Sequence, residues 1–272
     1  MTKTQDFREK YGPWALVTGA SSGIGEQFAR LLARSGINLV LVARRGERLA
    51  SLAQELRRRR RLEIEIVAAD LAEPDAVDRV VAAVGERNLG LLVSNAGFGL
   101  KGAFAGMERS RIEAMFNVNA RAPMLLAHAL LPRLQARSSG GIIFTGSVEG
   151  EVPYPFSAAY AATKAFVHSL GMSLHGELAG TGVDVLVLAP GATDTDAITL
   201  QGFKRELMPG LMAPAEVAKQ ALRQLGNVPL HIPGAENRRY VSQLRRMPRD
   251  KLIAFTAQAM SAAIAASSGE QG

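Results

Sequence analysis

Residues 13–34 read PWALVTGASSGIGEQFARLLAR, an apolar run followed by a glycine-rich turn and an amphipathic stretch. The apolar run at 13–18 predicts a short buried strand. After Gly23, apolar residues recur at helical spacing from Ile24 through Phe28 to Leu32, which predicts a helix with one buried stripe. The segment therefore predicts a β-strand, a tight turn and an α-helix in direct succession.

The same alternation continues to about residue 233. Six further apolar runs predict strands at 37–43, 64–70, 89–94, 141–147, 183–190 and 228–233. Near-continuous apolar strands are typical of a parallel sheet that is covered on both faces. We therefore predict a Rossmann-like, doubly wound α/β fold, with a seven-stranded parallel sheet, helices on both faces and a C-terminal helical extension.

The composition excludes several classes of protein. With 47% hydrophobic and 21% charged residues in 272, the chain is typical of a folded globular protein. It has no cysteine, so disulfides, thiolate metal sites and a cysteine nucleophile are excluded. The net charge of +7 owes much to the run Arg57–Arg61 and does not indicate nucleic-acid binding. No window is long enough for a membrane span and the N-terminus is too polar for a signal peptide, so we expect a cytoplasmic protein.

The glycine-rich turn predicts a nucleotide-binding loop with the spacing G-x-x-x-G-x-G. Glycine allows a tight turn and a close approach of the backbone to a pyrophosphate, and the following helix N-terminus offers free N–H groups. The alternative is a glycine-rich turn that binds nothing. The residues expected at the cofactor are Gly19, Ser21, Ser22, Gly23, Ile24 and Gly25.

The end of the second predicted strand indicates which dinucleotide is bound. An acidic side chain there usually binds the ribose hydroxyls of NAD, but this strand ends in Ala43-Arg44-Arg45. The planar guanidinium group matches a 2′-phosphate. We therefore expect NADP(H), with Arg44 the stronger candidate and Arg45 beside it. The alternative is two solvated arginines at a strand end.

Tyr160 and Lys164 form the candidate catalytic pair. Their spacing of four residues places both side chains on one face of a predicted helix. A free tyrosine titrates near pH ~10, and a cation within ~4–6 Å lowers the pKa of an acid by ~1–3 units. Lys164 can supply that cation, which makes Tyr160 a candidate general acid or base. Ser147 ends the fifth predicted strand, at the edge of the sheet where the glycine turn also lies.

Further short motifs follow the predicted strands. They are Asp70-Leu71, Asn95-Ala96-Gly97, Val118-Asn119 and the P-G-x-x-x-T pattern from Pro190 to Thr195. Together with the T-G-x-x-x-G-x-G turn at Thr18–Gly25, Ser147 and the Tyr160–Lys164 pair, they resemble the compact form of the short-chain dehydrogenase/reductase family over about residues 12–234. Two positions depart from the family pattern. Ser94 stands where the family often has Asn, and Glu149 stands where a small residue is expected.

The resemblance implies an NADP(H)-dependent oxidoreductase that interconverts a carbonyl and a secondary alcohol by hydride transfer. Tyr160 would protonate the carbonyl oxygen, Ser147 would hydrogen-bond it, and Lys164 would lower the pKa of Tyr160 and hold the nicotinamide ribose. Asn119 would anchor a water that links Lys164 to solvent, act as a polar group that kinks a helix, or do both. Further cofactor contacts are implied at Asp70, Leu71, Asn95, Ala96, Gly97, Tyr160, Lys164, Pro190, Gly191, Thr193 and Thr195.

The segment 192–213 interrupts the alternation of strands and helices and predicts a lid over the substrate. The residues expected in the substrate pocket are Phe98, Val148, Glu149, Tyr154 and Phe203. These residue types favour an apolar or aromatic substrate, although several of them could instead close the core. Glu149 is expected either in solvent or against a substrate hydroxyl or amine. The four histidines lack the spacing and carboxylate support of a metal site, so no metal is expected.

We expect residues 1–235 to form a dinucleotide-binding catalytic domain and 236–272 a basic C-terminal extension. Residues 236–251 carry six basic and two acidic side chains, and a helical apolar stripe follows them. Because that stripe is mostly alanine, packing against the domain or a second subunit is favoured over membrane contact. The resemblance implies a homodimer or homotetramer formed through helices in 108–137 and 157–180. Two alternatives stay open: a cofactor-binding regulatory protein with little catalysis, and a membrane-associated lipid or steroid reductase.

Overall fold

The computed structural model describes residues 3–59, 61–208 and 210–268. Within them, seven strands form one fully parallel sheet in the order β3-β2-β1-β4-β5-β6-β7. The strands are β1 Trp14–Thr18, β2 Asn38–Ala43, β3 Ile64–Ala68, β4 Leu89–Ser94, β5 Gly140–Thr145, β6 Val183–Leu188 and β7 Leu230–His231. The predicted doubly wound α/β class and seven-stranded sheet are confirmed.

Helices connect the strands and continue past the last one. They are α1 Lys3–Tyr11, α2 Gly23–Arg34, α3 Gly46–Arg59, α4 Ala76–Val84, α5 Arg109–Phe116, α6 Ala122–Arg137, α7 Ala158–Glu177, α8 Ala197–Leu200, α9 Pro214–Gln224, α10 Ala235–Arg246 and α11 Arg249–Ser268. A π-helical turn, Asn117–Arg121, joins α5 to α6. No helix in the described ranges is both long and apolar enough to cross a membrane.

Helices cover both faces of the sheet because successive strand residues point to opposite sides. In β1, Ala15 and Val17 pack with α2, α3 and α9, while Trp14 and Leu16 pack with α4, α6 and α7. β7 is only two residues long, shorter than the apolar run 228–233 predicts. Pro229 and Pro233 flank it, and proline has no backbone N–H to donate to a sheet.

The strand order brings the predicted motifs together. β1 and β4 are neighbours at the point where the chain reverses its direction of winding, which is where doubly wound folds bind their ligands. The glycine turn follows β1, the Asn95 turn follows β4, Ser147 follows β5 and Pro190 follows β6. All four therefore lie at the carboxyl edge of the sheet.

The C-terminal helices pack against this same edge. Leu244 of α10 and Leu252 of α11 are buried with Tyr154, in the segment that follows β5, and with Ala161 of α7. The basic extension thus contacts the rest of the chain through its apolar residues.

Candidate active site

A cleft of about 360 Å³ opens at the carboxyl edge of the sheet. Nearly all predicted cofactor residues line it: Gly19, Ser21, Ser22, Gly23, Ile24, Arg44, Arg45, Asp70, Leu71, Asn95, Ala96, Gly97, Tyr160, Lys164, Pro190, Gly191, Thr193 and Thr195. Ser147 lines it too, whereas Gly25 and Asn119 do not. Among the residues that the structure describes, no three His, Asp or Glu side chains converge on a metal site.

The glycine turn is tied to the turn after β4. The Thr18 hydroxyl accepts hydrogen bonds from the N–H groups of Asn95 (2.9 Å) and Ala96 (3.0 Å). Gly19 has a φ of 68°, a left-handed value that favours glycine. A Cβ at Gly25 would lie 2.2 Å from the Gly19 carbonyl oxygen, so Gly25 lets α2 begin directly behind the turn.

The turn has the shape and the free donors that a pyrophosphate requires. Ser22, at the N-cap of α2, makes no side-chain capping bond, so the first N–H groups of the helix remain available to an anion. Gly23 has a φ of 58°, and a Cβ there would lie 2.9 Å from Cγ2 of Thr195 across the cleft. A side chain at Gly23 would fill the cradle, so the residues present fit a dinucleotide.

The two arginines after β2 take different positions. Arg45 bends over the turn and donates to the hydroxyls of Ser22 (2.7 Å) and Ser21 (3.1 Å). It also lies 3.5 Å from a carboxylate oxygen of Asp196, in the predicted lid. Arg44 is exposed, with its guanidinium 3.8 Å from Asp70. Arg45 therefore contacts the glycine turn directly, whereas Arg44, the stronger candidate for the 2′-phosphate in the sequence analysis, lies beside Asp70.

Tyr160 and Lys164 lie on the first turns of α7, beside Ser147. Lys164 Nζ is 5.6 Å from the centre of the Tyr160 ring and donates to the Thr145 carbonyl at 2.8 Å. Burial raises the pKa of the Tyr160 phenol, the Glu149 carboxylate raises it further, and a hydrogen bond from Ser147 lowers it. Burial also lowers the pKa of Lys164 to about 8. In the protein alone, burial and the Glu149 carboxylate therefore outweigh any lowering of the Tyr160 pKa by Lys164.

Asn119 lies in the π-helical turn and is buried. Its Nδ2 donates to the Phe98 carbonyl (2.8 Å) and to the Thr163 hydroxyl (3.1 Å), and its Oδ1 accepts from the Phe98 N–H (3.0 Å). It thus joins the α5–α6 junction to the turn after β4 and to α7. Both roles expected of Asn119, the helix kink and the water relay, stay predictions.

Lys101 is a site residue that the sequence analysis missed. Its side chain is only 3% exposed, and Nζ contacts both carboxylate oxygens of Glu149 and the Ser157 hydroxyl. The same ammonium lies 4.6 Å from the centre of the Tyr160 ring, closer than Lys164. Glu149 therefore lines the cleft as half of an ion pair. No spacing in the sequence marks Lys101, because its partners lie 48 and 56 residues away.

The substrate end of the cleft contains most of the residues expected there. Phe98, Val148, Glu149 and Phe203 line it, together with three apolar residues of the predicted lid, Ile198, Leu200 and Met208. Tyr154 does not, which corrects the prediction. The chain turns outward after a short helical turn at Val148–Gly150, so that Tyr154 packs beneath α10 with its hydroxyl 3.3 Å from that of Tyr240.

Comparisons with known proteins return the family that the sequence motifs resemble. The family model described as short chain dehydrogenase matches residues 13–202. A 7beta-hydroxysteroid dehydrogenase of Clostridium sardiniense is 33% identical over 250 residues, which cover 92% of this chain and 96% of that protein.

Two solved structures extend the likeness to the whole fold. A short-chain dehydrogenase from Sphingobium yanoikuyae, solved in complex with NADPH, superposes with a TM-score of 0.78 and is 34% identical, covering 86% of this chain and 93% of its own. A bulky-bulky ketone specific alcohol dehydrogenase from Comamonas testosteroni superposes with a TM-score of 0.74 at 35% identity, covering 86% and 92%.

Proposed function

Because the chain belongs to the short-chain dehydrogenase/reductase family and is therefore an oxidoreductase of the carbonyl–alcohol type, we propose that it uses NADP(H), with Tyr160 as its general acid and base. The observation that carries the proposal is the meeting of Ser147, Tyr160 and Lys164 on the wall of a cleft that begins at the glycine turn. When bound, the nicotinamide supplies or accepts the hydride at the substrate carbon.

The protein's own groups handle the proton and the developing charge. In the reductive direction, the Tyr160 hydroxyl gives its proton to the carbonyl oxygen, and the Ser147 hydroxyl donates a hydrogen bond to the same oxygen. The raised pKa of Tyr160 keeps the phenol protonated at neutral pH, as a proton donor must be. Lys164 lines the same cleft, where it can hold the nicotinamide ribose.

Replacing Tyr160 with phenylalanine tests the acid assignment. We expect Tyr160→Phe to lower kcat by about 10²–10⁴-fold, the usual contribution of a positioned acid, with an unchanged Kd for NADPH. The measurement is NADPH consumption with a panel of ketones, beside a fluorescence titration of the cofactor. Tyr11→Phe is the matched control, because the Tyr11 hydroxyl bonds Asp184 away from the cleft. A Tyr160→Phe enzyme with near-normal kcat would show that the acid lies elsewhere.

Arg44 and Arg45 support the choice of NADP(H) over NAD(H). A charge-assisted hydrogen bond contributes about 1.5–3 kcal/mol, so Arg44→Ala or Arg45→Ala should weaken NADPH binding roughly tenfold or more. Binding of NADH, which lacks the 2′-phosphate, should change little. Arg58→Ala removes the same charge from the exposed far end of α3 and serves as the control. Tighter binding of NADH than of NADPH, unaltered in both variants, would refute the assignment.

The substrate proposed for the cleft is an apolar or aromatic carbonyl compound or the matching alcohol. Phe98, Val148, Phe203 and the apolar lid residues support this, since they offer surface for burial but no cationic group for a phosphate. The names of the relatives, a hydroxysteroid dehydrogenase and a bulky-ketone alcohol dehydrogenase, point the same way. Turnover that rises from small polar ketones to aryl and steroid ketones would support this class.

We also propose a cytoplasmic homodimer or homotetramer, formed through α5, α6 and α7. These helices carry large apolar side chains that are exposed in the single chain, namely Phe116, Met124, Phe166 and Met172. Exposed apolar residues of this size favour burial against another subunit. The intact Ser147, Tyr160 and Lys164 favour an enzyme over a regulatory protein that only binds the cofactor.

A further inference from the structure

His168 lies directly beneath the catalytic serine. It follows Lys164 by four residues on α7, so it continues the stripe that begins at Tyr160. The Ser147 N–H donates to its Nε2 at 3.3 Å, and its Nδ1 is 2.8 Å from a carboxylate oxygen of Glu151. The His168 and Glu151 side chains are 4% and 2% exposed, so both contacts are shielded from water.

These two contacts define the protonation of the ring. Nε2 accepts a hydrogen bond and so carries no proton, which places the proton of the neutral imidazole on Nδ1, where it is donated to Glu151. Burial and the neighbouring Lys164 lower the pKa of His168 to about 4, in agreement with a neutral ring. A protonated ring would direct a second N–H at the Ser147 amide and break the contact.

The chain leaves space for this ring on both sides of Ser147. A Cβ at Gly146 would lie 2.2 Å from His168 Nε2, and a Cβ at Gly150 would lie 3.0 Å from it. The backbone of the serine segment is therefore fitted to the imidazole, which is held at a fixed place by α7.

The buried carboxylate of Glu151 receives its counter-charge from the C-terminal extension. A guanidinium nitrogen of Arg245, on α10, contacts the second carboxylate oxygen. Thr256 of α11 donates to the Pro153 carbonyl at 3.2 Å, in the same segment. Without Arg245, Glu151 would be a buried anion with one neutral partner, which is costly.

We propose that Arg245, Glu151 and His168 form a relay of contacts through which the C-terminal extension positions Ser147 for catalysis. The proposal rests on the proposed function. None of the three residues lines the cleft, so they act as positioning residues for the serine. The proposal also gives a function to the C-terminal extension, since one of its basic residues, Arg245, belongs to the relay.

A comparison of His168→Gln with His168→Leu separates the effect of the hydrogen bond to Ser147 from the effect of side-chain volume. Gln has a carbonyl oxygen near the place of Nε2 that can accept from the Ser147 N–H, whereas Leu fills the space without an acceptor. We expect His168→Leu to lower kcat by about 10- to 100-fold, the cost of a small misplacement, with the Kd for NADPH unchanged. His168→Gln should recover most of the rate. Equal losses in both variants, or a loss that follows cofactor binding, would overturn the proposal.

The extension is tested with Arg245→Ala against Arg246→Ala. Both variants remove one positive charge from adjacent, exposed positions of α10. Of the two arginines, Arg245 belongs to the relay and Arg246 does not. We expect a several-fold lower kcat for Arg245→Ala, partial recovery in Arg245→Lys, and wild-type kcat for Arg246→Ala. Equal rates for the two alanine variants would remove the extension from the relay. These variants also carry the test if His168→Leu does not fold.

Amide hydrogen exchange over residues 145–150 gives a readout that needs no turnover. We expect faster exchange in this peptide for His168→Leu and Arg245→Ala, and near-normal exchange for His168→Gln and Arg246→Ala. The wild-type protein could consume no NADPH with any ketone while the four variants still gave this exchange pattern. In that case the proposed function would fail and the positioning relay would stand. Normal turnover with unchanged exchange in every variant would do the reverse.

Discussion

Tyr160 lies between two lysines, and the less expected one is nearer. Lys101 lies over the face of the ring and is paired with Glu149, while Lys164 reaches past the ring to the Thr145 carbonyl. Burial lowers the pKa of Lys101, and the Glu149 carboxylate partly opposes this. The ion pair therefore places a positive and a negative charge close to the phenol. Alone, the ammonium of Lys101 would lower the pKa of Tyr160, and the carboxylate of Glu149 would raise it.

Removing one charge at a time should shift the pH dependence in opposite directions. The Glu149 carboxylate raises the pKa of Tyr160, so Glu149→Gln should lower that pKa. Alcohol oxidation requires the deprotonated phenol, so the rising limb of kcat/KM should move to lower pH. Lys101→Met leaves the carboxylate unneutralised and should move the limb to higher pH. The measurement is the pH profile of alcohol oxidation, and shifts of the same sign in both variants would contradict this account.

At the scale of elements, α7 joins the proposed catalytic residues to the sheet. Tyr160, Lys164, His168 and Gly171 follow one another at helical spacing along one face. The absence of a side chain at Gly171 lets the helix approach β5 and β6, since a Cβ there would lie 2.4 Å from Cγ2 of Val187 and 3.1 Å from Cδ2 of Phe144. The distance from α7 to the sheet thus sets how close Tyr160 comes to the cleft.

Two glycines of this helix provide a matched test of that packing. Gly171→Ala should lower the free energy of unfolding by about 1–3 kcal/mol, because the new methyl group overpacks the contact with the sheet. Gly176→Ala, where a Cβ meets no atom within 4 Å, should raise it by roughly 0.5–1 kcal/mol, since alanine restricts the unfolded chain. Urea denaturation of both variants gives the comparison. A neutral or stabilising Gly171→Ala would mean that α7 lies farther from the sheet.

At the scale of the whole molecule, the exposed faces of α5, α6 and α7 decide whether the chain works alone. The proposed oligomer predicts a mass of two or four chains by light scattering coupled to size exclusion. Phe166→Glu, on the outer face of α7, should shift that mass towards a single chain, because a charge cannot be buried unpaired in the interface. Ala50→Glu, on the exposed side of α3, should leave the mass unchanged. A wild-type mass equal to that of a single chain would contradict the proposed oligomer.

The sequence alone determined the fold class, the glycine turn and the meeting of Ser147, Tyr160 and Lys164 at one edge of the sheet. Apolar periods report which face of each element is buried, and parallel strands gather their carboxyl ends at one edge, so residues after β1, β5 and β6 had to meet there. The stripe Tyr160, Lys164, His168 was also present in the sequence, although nothing in the sequence shows which atoms His168 would contact.

Only the tertiary structure determined the contacts between residues far apart in the chain. Lys101 with Glu149, Arg245 with Glu151, and the outward turn that places Tyr154 under α10 depend on how irregular segments settle against packed helices. Such segments have no hydrophobic period, and a buried charge needs a partner of opposite sign in good geometry, which any part of the chain can supply. Their pairing therefore follows from three-dimensional packing, which local sequence patterns do not encode.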